Sequence, residues 1–153
     1  MERESRFDYF MRIAYDVSRR STCLRRSVGA VLVNANFEII GTGYNGAPRG
    51  APHCEVTGCV RQNLSIPSGT ELALCRALHG EQNAIMQARG HGIETKNSVL
   101  YVTTFPCVTC TKMIIQCGIK KIYHAEPYFD SALSQQMLSE SKVEVEQKDF
   151  DPK

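Results

Sequence analysis

Two cysteines follow a proline in the segment TFPCVTC (104–110). A Cys-x-x-Cys pair can be a redox couple, half of a structural metal site or part of a catalytic metal site. Cys107 and Cys110 lie where a predicted strand ends and a predicted helix begins, and the partial positive charge of a helix N-terminus favours the metal-binding thiolate. A redox couple fits this corner equally well, so the pair alone leaves both chemistries open.

The motif His79-Gly80-Glu81, at the start of the preceding predicted helix, favours the metal site. If two strand–helix corners are neighbours in one sheet, His79 joins Cys107 and Cys110 as three ligands of types that zinc prefers. Structural zinc sites are closed by four protein ligands, whereas catalytic sites keep one position for water. Zinc lowers the pKa of such a water from ~16 to ~7, and a nearby carboxylate can move its proton. We therefore expect a catalytic zinc at this cluster, with Glu81 as the proton carrier.

The elements that must position these residues alternate along the chain. Apolar residues at helical spacing predict helices at 5–20, 78–90, 107–118 and 131–141. Short β-branched runs predict strands at 28–33, 37–45, 98–104, 119–125 and 142–147. The first two strands form a hairpin, and the later strand–helix alternation predicts parallel pairing through right-handed crossovers. The expected fold class is therefore α/β.

The bulk composition excludes several functional classes. The chain has 153 residues, about one domain, with 42% hydrophobic and 22% charged residues, as in ordinary globular proteins. Its net charge of +2 is too small for the basic footprint of a nucleic-acid-binding protein. Neither a signal-like N-terminus nor an apolar run of about eighteen residues is visible, so we expect no membrane partner and a cytoplasmic location. Seven cysteines in such a chain favour metal ligands or catalytic groups over disulfides.

The stretch from Gly46 to Leu74 has no regular period and contains GAPRGAP and IPSG. Nearly thirty irregular residues is long for a compact domain, and such loops are usually functional or disordered. Because Cys54 and Cys59 lie inside it and Cys75 follows it, we expect a pinned loop. A closed metal clip would order such a loop, which has little core of its own.

The order His-x-Glu, twenty-four residues, Pro-Cys-x-x-Cys resembles the signature of the zinc-dependent nucleoside and nucleotide deaminases. Five segments resemble the deoxycytidylate (dCMP) deaminase branch: CLRRSVGAVLV, GTGYNGAPRG, HGEQNAI, LYVTTFPCVTC and IIQCGIKKIYHAEPY. The resemblance covers roughly residues 5 to 147. It implies a three-layer α/β/α cytidine-deaminase-like fold with a central five-stranded mixed sheet and helices on both faces. It also implies a single domain (1–153) with an irregular, zinc-pinned insertion at about 46–75.

The resemblance implies zinc-dependent hydrolytic deamination of dCMP to dUMP with release of ammonia, a reaction that feeds dTTP synthesis. Glu81 would protonate ring N3 and later the departing amine, while the His-Cys-Cys group holds the catalytic zinc. His-Ala-Glu is the commoner motif, and its middle residue contacts the pyrimidine carbonyl through the backbone. Gly80 keeps that N–H but makes the helix start less stable, because glycine costs ~1 kcal/mol relative to alanine at interior helical positions. This difference predicts slower turnover.

The resemblance also implies how the rest of the nucleotide is bound. Asn45, in GYNG, matches a family position near the sugar, and Tyr128, in EPY, matches a tyrosine on the substrate side. The 5′-phosphate needs cationic partners, and the candidates near the matching motifs are Arg25, Arg26 and Arg49.

A second, structural zinc is expected from the same resemblance. Related dCMP deaminases hold a zinc in the irregular region, and Cys23 and Cys54 match two of its ligand positions. Cys59 and Cys75 complete the expected four-thiolate site, in which His53 could replace one thiol.

Other functions stay open at this point. A deaminase of CMP or of other cytosine nucleosides and nucleotides, a tRNA adenosine deaminase and a riboflavin-pathway deaminase share the signature. The charge of +2 and the ending KVEVEQKDFDPK disfavour an RNA substrate, and GTGYNGAPRG favours the dCMP branch. A non-catalytic structural zinc protein would need a fourth protein ligand and no Glu81. Relatives form homo-oligomers, often hexamers, and some bind dCTP and dTTP as allosteric ligands.

Overall fold

The computed structural model describes residues 2–128 and 131–153. The strands in this part of the chain are β1 (Gly29–Val33), β2 (Ile39–Tyr44), β3 (Val99–Thr104), β4 (Lys121–Glu126) and β5 (Glu144–Gln147). The helices are α1 (Arg6–Ser18), α2 (Cys54–Thr57), α3 (Val60–Asn63), α4 (Gly80–Gly90), α5 (Val108–Gln116) and α6 (Ala132–Glu140). Every strand and every long helix expected from the sequence is present, with ends that differ by no more than about two residues.

The strands form one mixed sheet with the order β2-β1-β3-β4-β5. β1 is antiparallel to both β2 and β3, whereas β3, β4 and β5 run parallel. The register pairs Val99 with Lys121 and Thr104 with Glu126, so β3 and β4 end at the same edge of the sheet. The chain passes from this edge directly into α5, which places the Cys-x-x-Cys pair there.

Alternating side chains divide the core between the two faces of the sheet, as the two-residue period of a strand requires. On one face, Ala30, Leu32, Leu100 and Val102 pack in a cluster with residues of α4, α5 and α6. On the other face, the strands pack against α1, through a cluster that includes Val31, Val33, Tyr101, Phe10 and Met11. The expected three-layer α/β/α architecture and its five-stranded mixed sheet are therefore confirmed.

Glycines on β2 allow α4 to lie directly against the sheet. A Cβ atom at Gly43 would lie 2.1 Å from the carbonyl oxygen of Gly80 and 2.4 Å from the nitrogen of Ala84. A Cβ atom at Gly41 would lie 2.3 Å from the carbonyl oxygen of Ala84. Real Cβ atoms do not approach backbone this closely, so a side chain at either position would push the first two turns of α4 away from the strand.

The stretch expected to be irregular contains α2, α3 and a 3₁₀ turn at Leu72–Leu74. No periodic pattern signals such short pieces, which explains why the sequence analysis missed them. An isolated bridge joins Gly46, the first residue of the stretch, to Leu78, which follows the stretch. Gly46 N–H donates to Leu78 O at 3.1 Å, and Leu78 N–H donates to Gly46 O at 2.8 Å. Among the described residues, no helix has the length and apolar character needed to cross a bilayer.

Candidate active site

The ligand residues expected to converge do so at the starts of two helices. His79 is the N-cap of α4, Cys107 is the N-cap of α5, and Cys110 lies in the first turn of α5. The Sγ atoms of both cysteines lie 3.4 Å from His79 Nδ1, and the three ligand atoms lie within 4.8 Å of one another. In the described part of the chain, no fourth His, Cys, Asp or Glu belongs to this group.

One detail of the expected geometry is wrong. The sequence analysis placed the histidine at a strand–helix corner, but α4 does not follow a strand, because Leu78 forms only the isolated bridge with Gly46. Hydrogen bonds hold this helix start instead. His79 N–H donates to Gln82 Oε1 at 2.8 Å, and Gly80 N–H donates to Asn45 Oδ1 at 2.8 Å. These bonds satisfy backbone donors that every helix N-terminus leaves unpaired.

The electrostatics of the three ligands suit a cation. The hydrogen bond from Cys110 lowers the pKa of the Cys107 thiol to about 4, and the same bond raises the pKa of Cys110 well above its usual value. Burial disfavours the charged form of His79, but hydrogen bonds with Cys107 and Cys75 outweigh it and raise its pKa to about 10. Metal ligands must be deprotonated, so a metal ion bound here would replace the protons that these donor atoms carry. Two thiols and one imidazole form a donor set that fits zinc.

The Glu81 carboxyl lies in the first turn of α4, beside the ligands. It is only 4% exposed, and its Oε2 atom is buried without a hydrogen-bond partner among the described residues. Burial is the largest cause that raises the pKa of Glu81, so this carboxyl binds a proton more readily than an exposed glutamate does. An acidic residue in the first turn of a helix interacts favourably with the helix dipole even when it is exposed. The dipole therefore does not explain why Glu81 is buried, and the burial points to a functional role.

A pocket opens beside the ligand group and contains most of the predicted substrate residues. His79, Glu81 and Cys107 line one end of it. The other lining residues with predicted roles are Asn45, Tyr128, Arg25 and Arg26. The structure therefore brings the expected metal, proton-transfer and substrate groups around one space.

Arg49 lies elsewhere, so its expected place beside the other two arginines needs correction. It is exposed and lines a surface cavity between β2 and α4, together with Gly50 and His91. The physical reason is the backbone after GYNG, where the bridge to Leu78 and the turn closed by Ala51 N–H and Pro48 O carry this arginine away from the pocket.

Asn45 has structural work as well as a place in the pocket. Its Oδ1 atom accepts from Gly80 N–H at 2.8 Å, and its Nδ2 atom donates to Arg26 O at 3.2 Å. The N–H that the family resemblance directs at a pyrimidine carbonyl is therefore already hydrogen-bonded in this structure. A substrate carbonyl would have to share this donor with the asparagine or displace it.

Arg61 is a pocket residue that the sequence analysis missed. It lies on α3, lines the pocket and is only 6% exposed. The nearest signal in the sequence is its position two residues after Cys59, within a stretch that has no period. Only the folded path of that stretch brings Arg61 to the pocket that His79 and Cys107 also line.

The four cysteines expected to hold a second zinc occupy one region. Cys54 and Cys59 are buried, and Cys23 and Cys75 are partly exposed and line the pocket. Burial raises the pKa of Cys54, and the thiols of the other three add to this effect because they are nearby. Within the described chain, these thiols do not form a group as tight as the His-Cys-Cys ligands.

His53, the alternative ligand, is engaged in local hydrogen bonds. Its Nδ1 atom accepts from Ala47 N–H at 3.1 Å and lies 2.9 Å from Thr22 Oγ1. The ring therefore ties the chain after GYNG to the segment before β1. This role explains its position without a metal.

Comparisons with known proteins agree with this geometry. A family model described as "Cytidine and deoxycytidylate deaminase zinc-binding region" matches residues 4–126. A deoxycytidylate deaminase of Schizosaccharomyces pombe is 41% identical over 139 residues, which is 91% of this chain and 42% of that protein. The ComE operon protein 2 of Bacillus subtilis is 40% identical over 151 residues, 99% of this chain and 75% of that protein. This chain therefore spans less than half the length of the yeast relative.

A solved structure is also similar over the whole fold. The dCMP deaminase of cyanophage S-TIM5, in complex with dCMP and dUMP, has a TM-score of 0.78 and 31% sequence identity. The match covers 97% of this chain and 100% of the phage chain. The zinc-ligand geometry, the family model and these relatives agree, and the chain belongs to the cytidine and deoxycytidylate deaminase family.

Proposed function

We propose that this protein catalyses the hydrolytic deamination of dCMP to dUMP with release of ammonia, and so feeds dTTP synthesis. The observation that carries the proposal is the buried carboxyl of Glu81, whose Oε2 atom has no described hydrogen-bond partner, beside a three-ligand group of His79, Cys107 and Cys110. A closed structural site would have no use for this carboxyl. The substrate is supported by the phage relative, whose structure contains dCMP and dUMP, and by the deoxycytidylate deaminase of yeast.

His79, Cys107 and Cys110 would hold the catalytic zinc, which when bound supplies a water whose pKa is lowered to about 7. Glu81 moves protons: its carboxylate takes a proton from the attacking water and delivers it to ring N3, then takes the proton of the new C4 hydroxyl and delivers it to the amine, so that the C4–O bond replaces the C4–N bond and ammonia leaves. Burial, which raises the pKa of this carboxyl, favours that role because a buried carboxyl holds a proton more readily than an exposed one.

The pocket residues would hold the nucleotide in the reactive orientation. Asn45 uses one N–H of its amide for Arg26 O, and the second N–H remains for a sugar hydroxyl. Tyr128 lines the same pocket and lies under the guanidinium of Arg26, with 5.1 Å between the charged carbon and the ring centroid. Arg25 and Arg26 would meet the 5′-phosphate, and the backbone of Gly80 would meet the pyrimidine carbonyl once Asn45 yields its hydrogen bond.

A structural zinc bound by Cys23, Cys54, Cys59 and Cys75 is part of the proposal. Its support is that the thiols of Cys23, Cys59 and Cys75 lie near the thiol of Cys54, around two helices of four residues each that have little core of their own. The chain would then be a single catalytic domain (1–153) with a zinc-pinned insertion at about 46–75.

Assembly and location complete the proposal. We expect a homo-oligomer, with a hexamer as the family resemblance implies, and a cytoplasmic location. All seven cysteines are free thiols, which suits a reducing compartment. Regulation by dCTP and dTTP stays a prediction.

The decisive experiment is a substrate panel. Zinc-loaded protein is incubated with dCMP, CMP, dCTP, deoxycytidine and cytidine, and ammonia release is measured. We expect the highest kcat/KM with dCMP. Absence of turnover on every cytosine nucleotide, with zinc bound at the His-Cys-Cys group, would contradict the proposed function.

A further inference from the structure

We propose that Arg61 binds the substrate's 5′-phosphate and sets the preference for nucleotides over nucleosides. This inference rests on the proposed function, and it assigns a specificity role to a residue outside the catalytic helices. It begins with the charge of the pocket.

Three arginines line the pocket, and they lack carboxylate partners. Arg25, Arg26 and Arg61 all contribute to the wall, whereas Glu81, at the metal end, is the one acidic residue among the described lining residues. No Asp or Glu in residues 2–128 or 131–153 forms an ion pair with any of the three arginines. Because removing charges from water is costly unless they are paired, this arrangement calls for an anion. A phosphate monoester, with up to two negative charges, matches it.

Arg61 is the most deeply buried of the three. Its side chain is 6% exposed, while Arg25 and Arg26 are partly exposed. Its Nε atom is buried and has no hydrogen-bond partner among the described residues. Its Nη2 atom lies 3.5 Å from Pro67 O, which is longer than an ordinary hydrogen bond. A further hydrogen bond joins the Arg61 guanidinium to the Cys75 thiol, and the unpartnered Nε atom is the donor that remains for a ligand.

The other two arginines also contact protein groups. Arg25 Nη2 donates to Ile66 O at 2.8 Å, although its Nη1 atom is buried without a described partner. Arg26 stacks over the ring of Tyr128. Arg61 and the unpaired end of Arg25 therefore supply buried donors without described partners for the phosphate oxygens, and Arg26 contributes the third positive charge.

The backbone around Arg61 fixes the position of its charge. α3 begins after Cys59, and the carbonyl of Arg61 itself accepts from Ile66 N–H at 2.8 Å. Ser68 and Gly69, on the same segment, also line the pocket. A planar guanidinium held in place loses little entropy when it forms paired hydrogen bonds to phosphate oxygens.

The test compares binding of dUMP and deoxyuridine to zinc-loaded protein by titration calorimetry. In Arg61→Gln we expect dUMP affinity to fall by about 10- to 100-fold, as for loss of a charged, paired contact, while deoxyuridine affinity changes less than about twofold. Arg61→Lys, which keeps the charge but loses the planar fork, should lose a smaller part of the dUMP affinity. Arg20→Gln, at an exposed arginine outside the pocket, is the matched control and should leave both affinities unchanged.

The outcomes separate this inference from the proposed function. If wild-type protein prefers dUMP and Arg61→Gln keeps that preference, the role of Arg61 is refuted and the proposed function stands. If wild-type protein binds dUMP no more tightly than deoxyuridine, the proposed substrate is refuted first. Thermal unfolding of each variant verifies that it is folded. If the glutamine variant does not fold, the lysine variant decides: dUMP affinity equal to wild type would overturn the inference.

Discussion

Replacing Gly43 by alanine should disable the metal centre without touching any ligand. Gly43 lies on β2 beneath the start of α4, where a new Cβ atom would lie 2.1 Å from Gly80 O and 2.4 Å from Ala84 N. Both contacts are backbone atoms, so no side chain can rotate away to make room. The helix start, and with it the residue just before it, His79, must move.

The size of the movement follows from these distances. An ordinary contact of a Cβ atom begins at 3.4 Å, so the carbonyl of Gly80 must retreat by 3.4 − 2.1 = 1.3 Å if the strand stays in place. Metal–ligand distances tolerate only about 0.2 Å, and a misplacement of about 1 Å at a reacting group costs about 100-fold in rate. We therefore expect Gly43→Ala to lower kcat/KM for dCMP by about 100-fold or more, to weaken zinc retention, and to destabilise the fold by about 1–3 kcal/mol.

The measurements are zinc content after dialysis, ammonia release and thermal unfolding. Gly90→Ala is the matched control, because it lies at the end of the same helix and a Cβ atom added there would have no atom within 4 Å. This control should keep full zinc and activity, and helix propensity predicts a gain of up to about 1 kcal/mol in stability. A Gly43→Ala protein with wild-type zinc content and activity within about threefold would refute the argument that close packing of α4 on β2 positions the histidine.

Three further changes test other parts of the molecule. Glu81→Gln should keep the catalytic zinc but lower kcat by about 100- to 10,000-fold, the range for loss of a general acid–base; activity near the wild-type level would exclude the proton-carrier role. Cys54→Ser should reduce the zinc content measured by mass spectrometry from two ions per chain to one; one ion per chain in the unmodified protein would exclude the structural site. Burial lowers the pKa of His124, so the unfolded chain binds more protons than the native one just below pH ~6.5, and stability should decline as pH falls through this range. His124→Gln should reduce the extra loss between pH 6.5 and 5.5 by up to about 1.4 kcal/mol, measured by denaturant unfolding; identical pH dependence in both proteins would contradict a neutral buried histidine.

The sequence predicted the sheet and the catalytic ligands because their signals are local. β-branched runs identify β1 and β3, and a Pro-Cys-x-x-Cys segment after a strand identifies the start of α5. The position of His79 at a helix N-terminus followed from the same kind of signal. Its contact with Cys107 and Cys110 was expected from the idea of neighbouring corners, and the contact exists although the first corner is built by hydrogen bonds to Asn45 and Gln82.

The substrate end of the pocket was predicted less well, for a physical reason. Arg49 and Arg61 lie in the stretch without periodicity, where side-chain direction depends on turns and tertiary contacts. The sequence analysis favoured Arg49 because it adjoins GYNG, and the structure brings Arg61 to the pocket instead. Nothing in the local pattern distinguishes a buried arginine from an exposed one.

The bridge between Gly46 and Leu78 has a consequence for how this enzyme family can diversify. It holds the point where the chain leaves β2 next to the point where the chain enters α4. Segments of different length can therefore be inserted between these two points without disturbing either end. The candidate catalytic metal ligands lie outside this segment at 79, 107 and 110, while Arg61 and three of the four proposed structural zinc ligands, Cys54, Cys59 and Cys75, lie inside it. Exchange of this segment alone could therefore change which ligand the pocket prefers, while the three candidate catalytic metal ligands stay the same.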